Sequence, residues 1–285
     1  MTRDDHDVTS EEPGDGGTPT MNAPQPQPPT PNPARLHDKV AVITGAGSGI
    51  GRATALRFAA EGARLVLGDL RPERTAQTVA EIHAAGGDAV AYDGDVADDA
   101  YVRALVATAV DRHGRLDVLH NNAAYSIGGR VGDITDDDWR RQQQVVLDSV
   151  FYGIRAALPH MVAQRAGSIV TTASGAGIGG EYGLGAYAAH KAAVINLTQT
   201  VAMEYAEDGV RCNAVTPGPT ATEPMLAWLE TVPGGAEQFG RGALLRRMSR
   251  PDEVAAVVAW LASDDAALVS GVVVQANYRV SSPRP

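Results

Sequence analysis

Tyr187 and Lys191 are the residues of this 285-residue chain whose types and spacing best fit proton chemistry. Residues four apart project from the same face of a helix. A phenol has a pKa of about 10, so it is a poor acid–base group at neutral pH unless a neighbouring ammonium group lowers that pKa. Ser174 can hold a substrate oxygen beside this pair, which suits proton transfer at a carbonyl or an alcohol. His190 points away from the pair, and we expect it at the surface or at the pocket rim.

A glycine-rich stretch, TGAGSGIG, covers residues 44–51 between a predicted strand and a predicted helix. Glycines let the backbone turn tightly and approach a pyrophosphate, whose charge the helix N-terminus then stabilises. A glycine-rich string alone is weak evidence, but its position between a strand and a helix predicts a dinucleotide-binding turn. The predicted contacts are Gly45, Ser48, Gly49, Ile50 and Gly51.

An acidic residue, Asp69, lies at the end of the second predicted strand. A carboxylate at this place hydrogen-bonds the ribose hydroxyls of adenosine and repels a 2′-phosphate. Ser48 adds no positive charge beside the turn, and Arg71 is the one nearby residue that favours a phosphorylated ribose. On balance the sequence predicts NAD rather than NADP as the cofactor.

From Arg35 onward, short β-branched runs alternate with longer alanine-rich stretches of helical period. This alternation predicts an α/β fold, a single Rossmann-type, doubly wound parallel sheet of about seven strands with helices on both faces (three layers, α/β/α). A parallel sheet brings its strand ends to one rim, which would place Ser174 beside Tyr187 and Lys191. The predicted strands cover residues 39–44, 64–69, 88–92, 116–121, 168–172, 210–215 and 271–276. The main predicted helices cover residues 72–85, 99–113, 135–164, 184–206 and 252–262, and an irregular segment precedes the last of them.

Residues 1–34 differ in composition from the rest of the chain. They hold eight of the 17 prolines and six acidic residues against one basic residue. Such a composition predicts a disordered, solvated leader, with a single folded domain over residues 35–285. The leader also lacks the basic start and apolar core of a secretory signal.

The whole chain has 24 basic and 34 acidic residues, a formal net charge of −10. This charge is unlike that of a general nucleic-acid binder, and no apolar run approaches the roughly 18 to 20 residues of a membrane span. The one cysteine, Cys212, cannot form an internal disulfide and is expected in the core, and the histidines show no metal-ligand spacing. We therefore expect a cytoplasmic protein that acts on a small molecule, without a metal, nucleic-acid or membrane partner.

Taken in order, these motifs resemble the classical short-chain dehydrogenase/reductase family over about residues 36–276. The resemblance implies that Ser174, Tyr187 and Lys191 are catalytic, with Tyr187 as the acid–base group and with both Tyr187 and Lys191 also contacting NAD. It implies a homo-oligomer, either a tetramer or a dimer. It also implies cofactor contacts at Asp95, Val96, Asn122, Ala123, Pro217, Gly218 and Thr222.

The chain departs from the family pattern at three places. Ala124 replaces the glycine of the family's NNAG motif. Val146 occupies the position of an asparagine that is thought to hold a water linking the lysine to solvent, and valine forms no side-chain hydrogen bonds. Asn277 and Tyr278 stand where the family's terminal turn has glycines. We expect a weakened or rerouted proton relay and a weaker case for the tetramer.

Residues 219–248 combine apolar side chains with glycines, and in the family this region covers the substrate. The composition is typical of a mobile lid over a hydrophobic alcohol or ketone, including cyclic ones. The sequence therefore predicts an NAD(H)-dependent oxidoreductase that interconverts a secondary alcohol and a ketone. The predicted substrate contacts are Ser174, Tyr187, Met225 and Trp228.

Two other functions stay open. A cyclase, dehydratase or isomerase could use Tyr187 and Ser174 without hydride transfer, because a fold does not dictate a reaction, and Val146 motivates this alternative. A binding or regulatory protein could retain the fold and lack turnover, although the retained Ser174, Tyr187 and Lys191 argue against it. Substrate-dependent change in the reduced-nicotinamide absorbance distinguishes the oxidoreductase from both.

Overall fold

Seven parallel strands form one sheet in the computed structural model, which describes residue 27 and residues 29–277. The strands are Val40–Thr44 (β1), Arg64–Gly68 (β2), Asp88–Ala91 (β3), Val118–Asn121 (β4), Gly167–Thr172 (β5), Val210–Pro217 (β6) and Val273–Ala276 (β7). Their order across the sheet is β3-β2-β1-β4-β5-β6-β7. The chain reverses its winding direction between β1 and β4, which confirms the predicted doubly wound α/β fold.

Helices cover both faces of the sheet, so the central strands are buried on both sides. The helices are Gly49–Ala60 (α1), Pro72–Ala84 (α2), Asp99–His113 (α3), Asp136–Gln143 (α4), Ser149–Gln164 (α5), Gly185–Tyr205 (α6), Glu223–Leu229 (α7), Gly235–Arg241 (α8) and Pro251–Ala262 (α9). One core packs the sheet against α3, α5 and α6, and the other packs it against α1 and α9. Cys212 is buried in β6, as expected.

The predicted helix over residues 135–164 is interrupted by a π-helical turn, Gln144–Asp148, between α4 and α5. Thr135 caps its start, because the Thr135 hydroxyl accepts a hydrogen bond from the Asp138 amide at 3.1 Å. Contrary to the expectation from apolar run length, Asp136–Gln164 is long and apolar enough to cross a membrane by length and composition. Half of its most apolar window is buried inside the protein, as in the core helix of a globular domain.

The segment predicted as an irregular lid contains the two short helices α7 and α8. Its ends are joined, because the Ala221 amide donates to the Ser249 carbonyl and the Ser249 amide donates to the Pro219 carbonyl, both at 2.8 Å. The lid therefore leaves and rejoins the domain at one place, beside the end of β6.

Residues 29–34, which the composition assigned to the leader, lie against the end of α1. The Arg57 guanidinium donates hydrogen bonds to the carbonyls of Pro29 and Thr30 at 2.5 and 3.0 Å. The buried Glu61 carboxylate accepts from Arg57 and from the Asn32 amide. These contacts begin before the domain boundary predicted at residue 35, and most of the predicted leader lies outside the described residues.

Asn277 ends the described chain in a left-handed backbone conformation, with φ of 56°. Asparagine tolerates this region better than most residues, which explains how the chain does without a glycine here. The Asn277 side chain accepts a hydrogen bond from the Leu245 amide and donates to the Arg247 carbonyl, both at 2.9 Å. The terminal turn thus holds the last part of the lid. Tyr278, the other departure predicted for this turn, lies outside the described residues.

Candidate active site

A cleft of about 620 Å³ lies at the carboxyl ends of the strands and contains Ser174, Tyr187 and Lys191. Ser174 follows β5, and the other two residues lie on α6, one helical turn apart. Ligands of doubly wound sheets bind at this edge, where the strand order reverses. The structure therefore brings together the three residues that the sequence predicted as catalytic.

Tyr187 and Ser174 both line the cleft, and the Ser174 hydroxyl is a hydrogen-bond partner that favours the ionised form of the Tyr187 phenol. Burial raises the pKa of Tyr187 to about 12, and the hydrogen bond with Ser174 acts in the opposite direction. The Ser174 hydroxyl also accepts a hydrogen bond from the Ala176 amide at 3.2 Å, which fixes it at the start of a short 3₁₀ turn. The cleft thus presents a protonated phenol beside a positioned hydroxyl.

Lys191 has only 1% of its surface exposed. Its ammonium group donates a 2.6 Å hydrogen bond to the Thr172 carbonyl at the end of β5 and lies 5.7 Å from the centre of the Tyr187 ring. Burial lowers the pKa of Lys191 to about 8, because removing an ammonium group from water disfavours its charged form. The ammonium is placed to favour ionisation of the Tyr187 phenol.

The glycine turn after β1 has the shape of a phosphate cradle. Gly45 has φ of 66°, and a side chain at Gly51 would place its Cβ 2.0 Å from the Gly45 carbonyl oxygen. Ser48 occupies the N-cap position of α1, but within the described residues its hydroxyl makes no capping hydrogen bond. The first turn of α1 also has no acidic residue. Its amides are therefore suited to an anion such as a pyrophosphate.

Asp69 lies beside this turn and is fixed by the backbone. One of its carboxylate oxygens accepts a hydrogen bond from the Gly47 amide at 2.9 Å, and the other accepts from the Arg71 amide at 3.0 Å. The carboxylate lines the cleft at the end of β2, where a ribose would lie. Arg71 lines the same part of the cleft and is exposed.

Asn122 and Ala123, predicted as cofactor contacts, also hold the glycine turn in place. Their backbone amides donate to the Thr44 hydroxyl at 3.0 and 3.1 Å. The Asn122 side chain donates to the carbonyls of Thr44 and Gly45. The Asn122 amide group is thus used by the protein itself, while both residues line the cleft. Thr44 was not predicted as a site residue, although its place at the end of β1 is a usable signal.

Arg141 is a residue of the cleft that sequence reasoning missed. Its guanidinium donates a 2.9 Å hydrogen bond to the Asp95 carboxylate, and both side chains line the cleft. The other oxygen of Asp95 accepts from the Ala97 amide at 3.0 Å. Nothing in the local sequence links residues 95 and 141, because the contact joins the loop after β3 to α4 across the fold.

Most of the other predicted site residues also line the cleft. Two predicted residues do not. Gly51 is buried behind the turn, where its missing side chain lets the backbone close. Trp228 is 48% exposed and packs edge-on against Phe239 of α8, with ring centres 5.2 Å apart, and its predicted contact with substrate stays a prediction. The remaining predicted residues that line the cleft are Gly45, Ser48, Gly49, Ile50, Val96, Pro217, Gly218, Thr222 and Met225.

His190, expected at the surface or at the pocket rim, is buried instead. Its ring packs on that of Trp139 in α4, with centres 4.5 Å apart. His190 lies three residues after Tyr187 and faces away from the cleft, as expected. It is buried because α4 covers that side of α6. Within residues 27 and 29–277, no group of three His, Cys, Asp or Glu side chains is arranged to hold a metal ion.

Comparison with known proteins agrees with this site. A family profile described as enoyl-(acyl carrier protein) reductase matches residues 45–278. A meso-2,3-butanediol dehydrogenase from Serratia marcescens is 41% identical over 237 residues, covering 83% of this chain and 92% of that protein. A cyclohexanol dehydrogenase from Acinetobacter sp. is 40% identical over 240 residues, covering 83% and 92%.

A crystal structure of similar fold contains a nucleotide. It is of a protein from Beutenbergia cavernae assigned as an NAD(P)-dependent gluconate 5-dehydrogenase, with NADP bound at low occupancy. The TM-score is 0.80 at 33% identity, covering 86% of this chain and 97% of that chain.

The parallel sheet, the glycine turn and the Ser–Tyr–Lys cleft define a nicotinamide-dependent oxidoreductase of the α/β class. The chain belongs to the short-chain dehydrogenase/reductase family. It is an oxidoreductase that acts on CH–OH groups, and its family uses NAD or NADP.

Proposed function

We propose that this protein interconverts a hydrophobic secondary alcohol and its ketone, with NAD(H) as cofactor and Tyr187 as the acid–base group. The observation that carries the proposal is the convergence of Ser174, Tyr187 and a buried Lys191 in the same cleft as the glycine turn. Each of these groups has one role in the reaction.

In ketone reduction, the Tyr187 phenol donates its proton to the developing alkoxide oxygen, and the Ser174 hydroxyl holds that oxygen in place. In alcohol oxidation, the Tyr187 phenolate accepts the hydroxyl proton. The high pKa of Tyr187 favours the donor form at neutral pH. Below its pKa of about 8, Lys191 is an ammonium that favours the phenolate. The phenolate fraction itself rises with pH, so alcohol oxidation gains as pH rises.

The residues of the cleft fit a dinucleotide. The turn at Gly45 and the open N-terminus of α1 suit the pyrophosphate, and Asp69 suits the adenosine ribose. The bound nicotinamide supplies hydride transfer to and from the substrate carbon. Pro217 and Thr222 line the same cleft as Tyr187 and Lys191, and they would hold the nicotinamide end.

Asp69 supports NAD over NADP. Both carboxylate oxygens are fixed by backbone amides, so the charge cannot swing away from a 2′-phosphate. Arg71 is the residue that would favour NADP, but it is exposed and therefore screened by water. The repulsion from a fixed, largely buried carboxylate is expected to exceed this attraction.

The cleft itself supports a hydrophobic substrate. Tyr125, Val145 and Met225 line it, and Met225 lies on α7 of the lid. Apolar walls with a few convergent polar groups are typical of small-molecule pockets. Cyclic alcohols and ketones are included in the proposal because such walls accept compact rings.

The same proposal covers location and assembly. A cytoplasmic enzyme with no nucleic-acid or membrane partner agrees with a net charge of −10. A homo-oligomer agrees with apolar side chains exposed on two adjacent helices, Phe151 of α5 and Met203 of α6. Sedimentation at several protein concentrations tests the oligomer, and a mass equal to one chain would contradict it.

The first experiment tests catalysis. Purified protein is incubated with NAD and either cyclohexanol or 2,3-butanediol, and the reduced-nicotinamide absorbance is followed. Tyr187→Phe is expected to lower kcat by about 10²–10⁴-fold with NADH binding retained. Tyr182→Phe is the matched control, since Tyr182 lies five residues away and is largely exposed. Equal activity of Tyr187→Phe and wild type would overturn the acid–base assignment.

The second experiment tests the cofactor. Calorimetric titration is expected to show tighter binding of NADH than of NADPH, and Asp69→Ala is expected to reverse this order. Asp88→Ala is the control, because Asp88 begins β3 and therefore lies at the amino ends of the strands, whereas the cleft lies at their carboxyl ends. Tighter NADPH binding by the wild type would show that Arg71 rather than Asp69 decides the choice.

A further inference from the structure

Arg74 of α2 and Glu223, the first residue of α7, form an ion pair that joins the nucleotide half of the fold to the lid. The Arg74 guanidinium donates a hydrogen bond to the Glu223 carboxylate at 3.3 Å. The two residues lie 149 positions apart in the chain, and sequence reasoning predicted neither as a site residue. The pair therefore brings a negative charge of the lid to the helix that follows β2.

Arg74 also lies beside Asp69, the carboxylate predicted to contact the adenosine ribose. A Cβ built on Gly47 would be 2.7 Å from the Arg74 Cβ and 3.0 Å from the Asp69 Cγ. The two side chains thus flank one point of the glycine turn. An arginine side chain extends well beyond its Cβ and carries five N–H donors at its end. Rotation of the Arg74 side chain would therefore bring its guanidinium to the ribose side of Asp69.

The guanidinium of Arg74 is directed to the lid instead. It pairs with Glu223, while the Asp69 carboxylate accepts its hydrogen bonds from the backbone amides of Gly47 and Arg71. The Arg74 side chain is only 32% exposed, so water and salt screen its charge less than that of the exposed Arg71. A cation suited to a 2′-phosphate is thus present beside the ribose position, and a lid carboxylate neutralises it.

The lid reaches this place through Thr222, the residue before Glu223. The Thr222 hydroxyl caps α7 by accepting a hydrogen bond from the Met225 amide at 3.4 Å. A Cβ built on Gly49 would lie 3.0 Å from the Thr222 Cγ2, so the start of α7 rests on the glycine turn. The contact fixes the backbone that carries Glu223 close to α2.

We propose that Glu223 is a specificity-determining residue for NAD, which acts by holding Arg74 away from the 2′-phosphate position. The proposal rests on the nucleotide binding proposed above. Asp69 repels a 2′-phosphate, and a free Arg74 would bind one through paired N–H donors. Glu223 neutralises and orients Arg74, so the repulsion from Asp69 prevails. The choice of cofactor then depends on a residue of the lid as well as on the end of β2.

Glu223→Gln tests this role, because it removes the charge and keeps the size of an exposed side chain. The Kd for NADPH divided by that for NADH, both from calorimetric titration, is expected to fall about two- to fivefold, the range that the loss of an exposed ion pair allows. The Kd for NADH itself is expected to stay unchanged. Glu230→Gln is the matched control, since it removes the same charge from the exposed far end of α7 and should leave the ratio unchanged.

Arg74→Met separates an effect through Arg74 from a general repulsion between Glu223 and the phosphates. In the Arg74→Met background, Glu223→Gln is expected to leave the ratio of the two Kd values unchanged. A general repulsion would lower the ratio equally with and without Arg74, and that result would overturn the proposal. Equal tightening of NADH and NADPH in Glu223→Gln would overturn it as well, because it would make the pair a simple tether of the lid.

Two nucleotide fragments isolate the phosphate. Adenosine 2′,5′-bisphosphate and 5′-AMP differ only in the 2′-phosphate, and Glu223→Gln is expected to tighten binding of the bisphosphate alone. This gain should shrink as salt is added, because it comes from charge attraction at a partly exposed site. A wild-type protein that binds neither NADH nor NADPH would refute the nucleotide-binding function. A wild type that binds NADH, with the same ratio of Kd values in Glu223→Gln, would refute the role of Glu223 alone.

Discussion

Replacing Lys191 by methionine tests the cost of burying its ammonium group. Methionine has a similar length and no charge, so Lys191→Met removes the charge from a site that is 1% exposed. In the folded protein the pKa of Lys191 is about 8, against an ordinary value of 10.5. Each pKa unit corresponds to about 1.4 kcal/mol. The difference of about 2.5 units therefore means that the folded state loses about 3 kcal/mol by holding this ammonium at neutral pH.

The pH dependence of this cost gives the prediction its sign. Below about pH 8 both the folded and the unfolded chain hold the Lys191 proton, and the cost is fully present. Between about pH 8 and 10.5 the unfolded chain binds more protons than the folded one, so the wild type gains stability as pH rises. The free energy of unfolding of the wild type, minus that of Lys191→Met, is expected to increase by about 3 kcal/mol across this range.

At neutral pH the wild type and Lys191→Met differ in unfolding free energy by less than this change with pH. Methionine leaves the Thr172 carbonyl without its 2.6 Å ammonium donor, which costs about 1–3 kcal/mol. The variant is therefore expected to be only slightly more stable than the wild type at pH 7, and clearly less stable at pH 10.5.

Urea unfolding at pH 7, 8, 9, 10 and 10.5 measures the difference in unfolding free energy between the wild type and Lys191→Met. Lys39→Met is the matched control, because Lys39 is the other lysine of the chain, keeps contact with water and pairs with Asp264 at 3.0 Å. It is expected to show no change of this size. A difference between wild type and Lys191→Met that stays constant from pH 7 to 10.5 would refute the reasoning.

Three further outcomes are expected. Ketone reduction should slow and alcohol oxidation should quicken as pH rises toward the Tyr187 pKa of about 12, as initial rates in both directions would show, and parallel profiles would contradict it. Asn277→Gly should raise substrate KM several-fold, because glycine keeps the backbone conformation but loses the side-chain hydrogen bonds to the lid. Asn277→Ala should also lower the melting temperature, because alanine is strained at φ of 56°. Arg57→Met should lower the unfolding free energy by about 3 kcal/mol or more, because it leaves the buried Glu61 carboxylate without its 2.6 Å partner. A loss below about 1 kcal/mol in urea unfolding would show that Arg35, 3.6 Å from Glu61, replaces Arg57.

The sheet could be predicted because its strands carry a local signal. The residues of β1, Val40–Thr44, are all buried, and such short β-branched runs are typical of a parallel sheet covered on both faces. The glycine turn and the Tyr187–Lys191 pair were predictable for the same reason, since their spacing is fixed within one element.

Contacts between distant elements could not be predicted in this way. The Asp95–Arg141 pair and the packing of His190 on Trp139 depend on how α4 crosses the ends of the sheet. The π turn over Gln144–Asp148 adds one residue to a single turn of the helix, which is too short a change to be recognised from the apolar period of the sequence. The predicted substrate contact at Trp228 rests on its apolar character and its place in the lid segment, and these do not distinguish the inner face of a lid from its outer face.

Cys212 offers a practical advantage for following the lid. It is the chain's one cysteine, it is buried in β6, and burial raises the pKa of its thiol to about 12. Because thiol reagents attack the thiolate, the folded protein should be nearly inert to maleimide labels. A cysteine introduced at an exposed lid position such as Trp228 would therefore take up a fluorophore or spin label selectively, with the native thiol left in place.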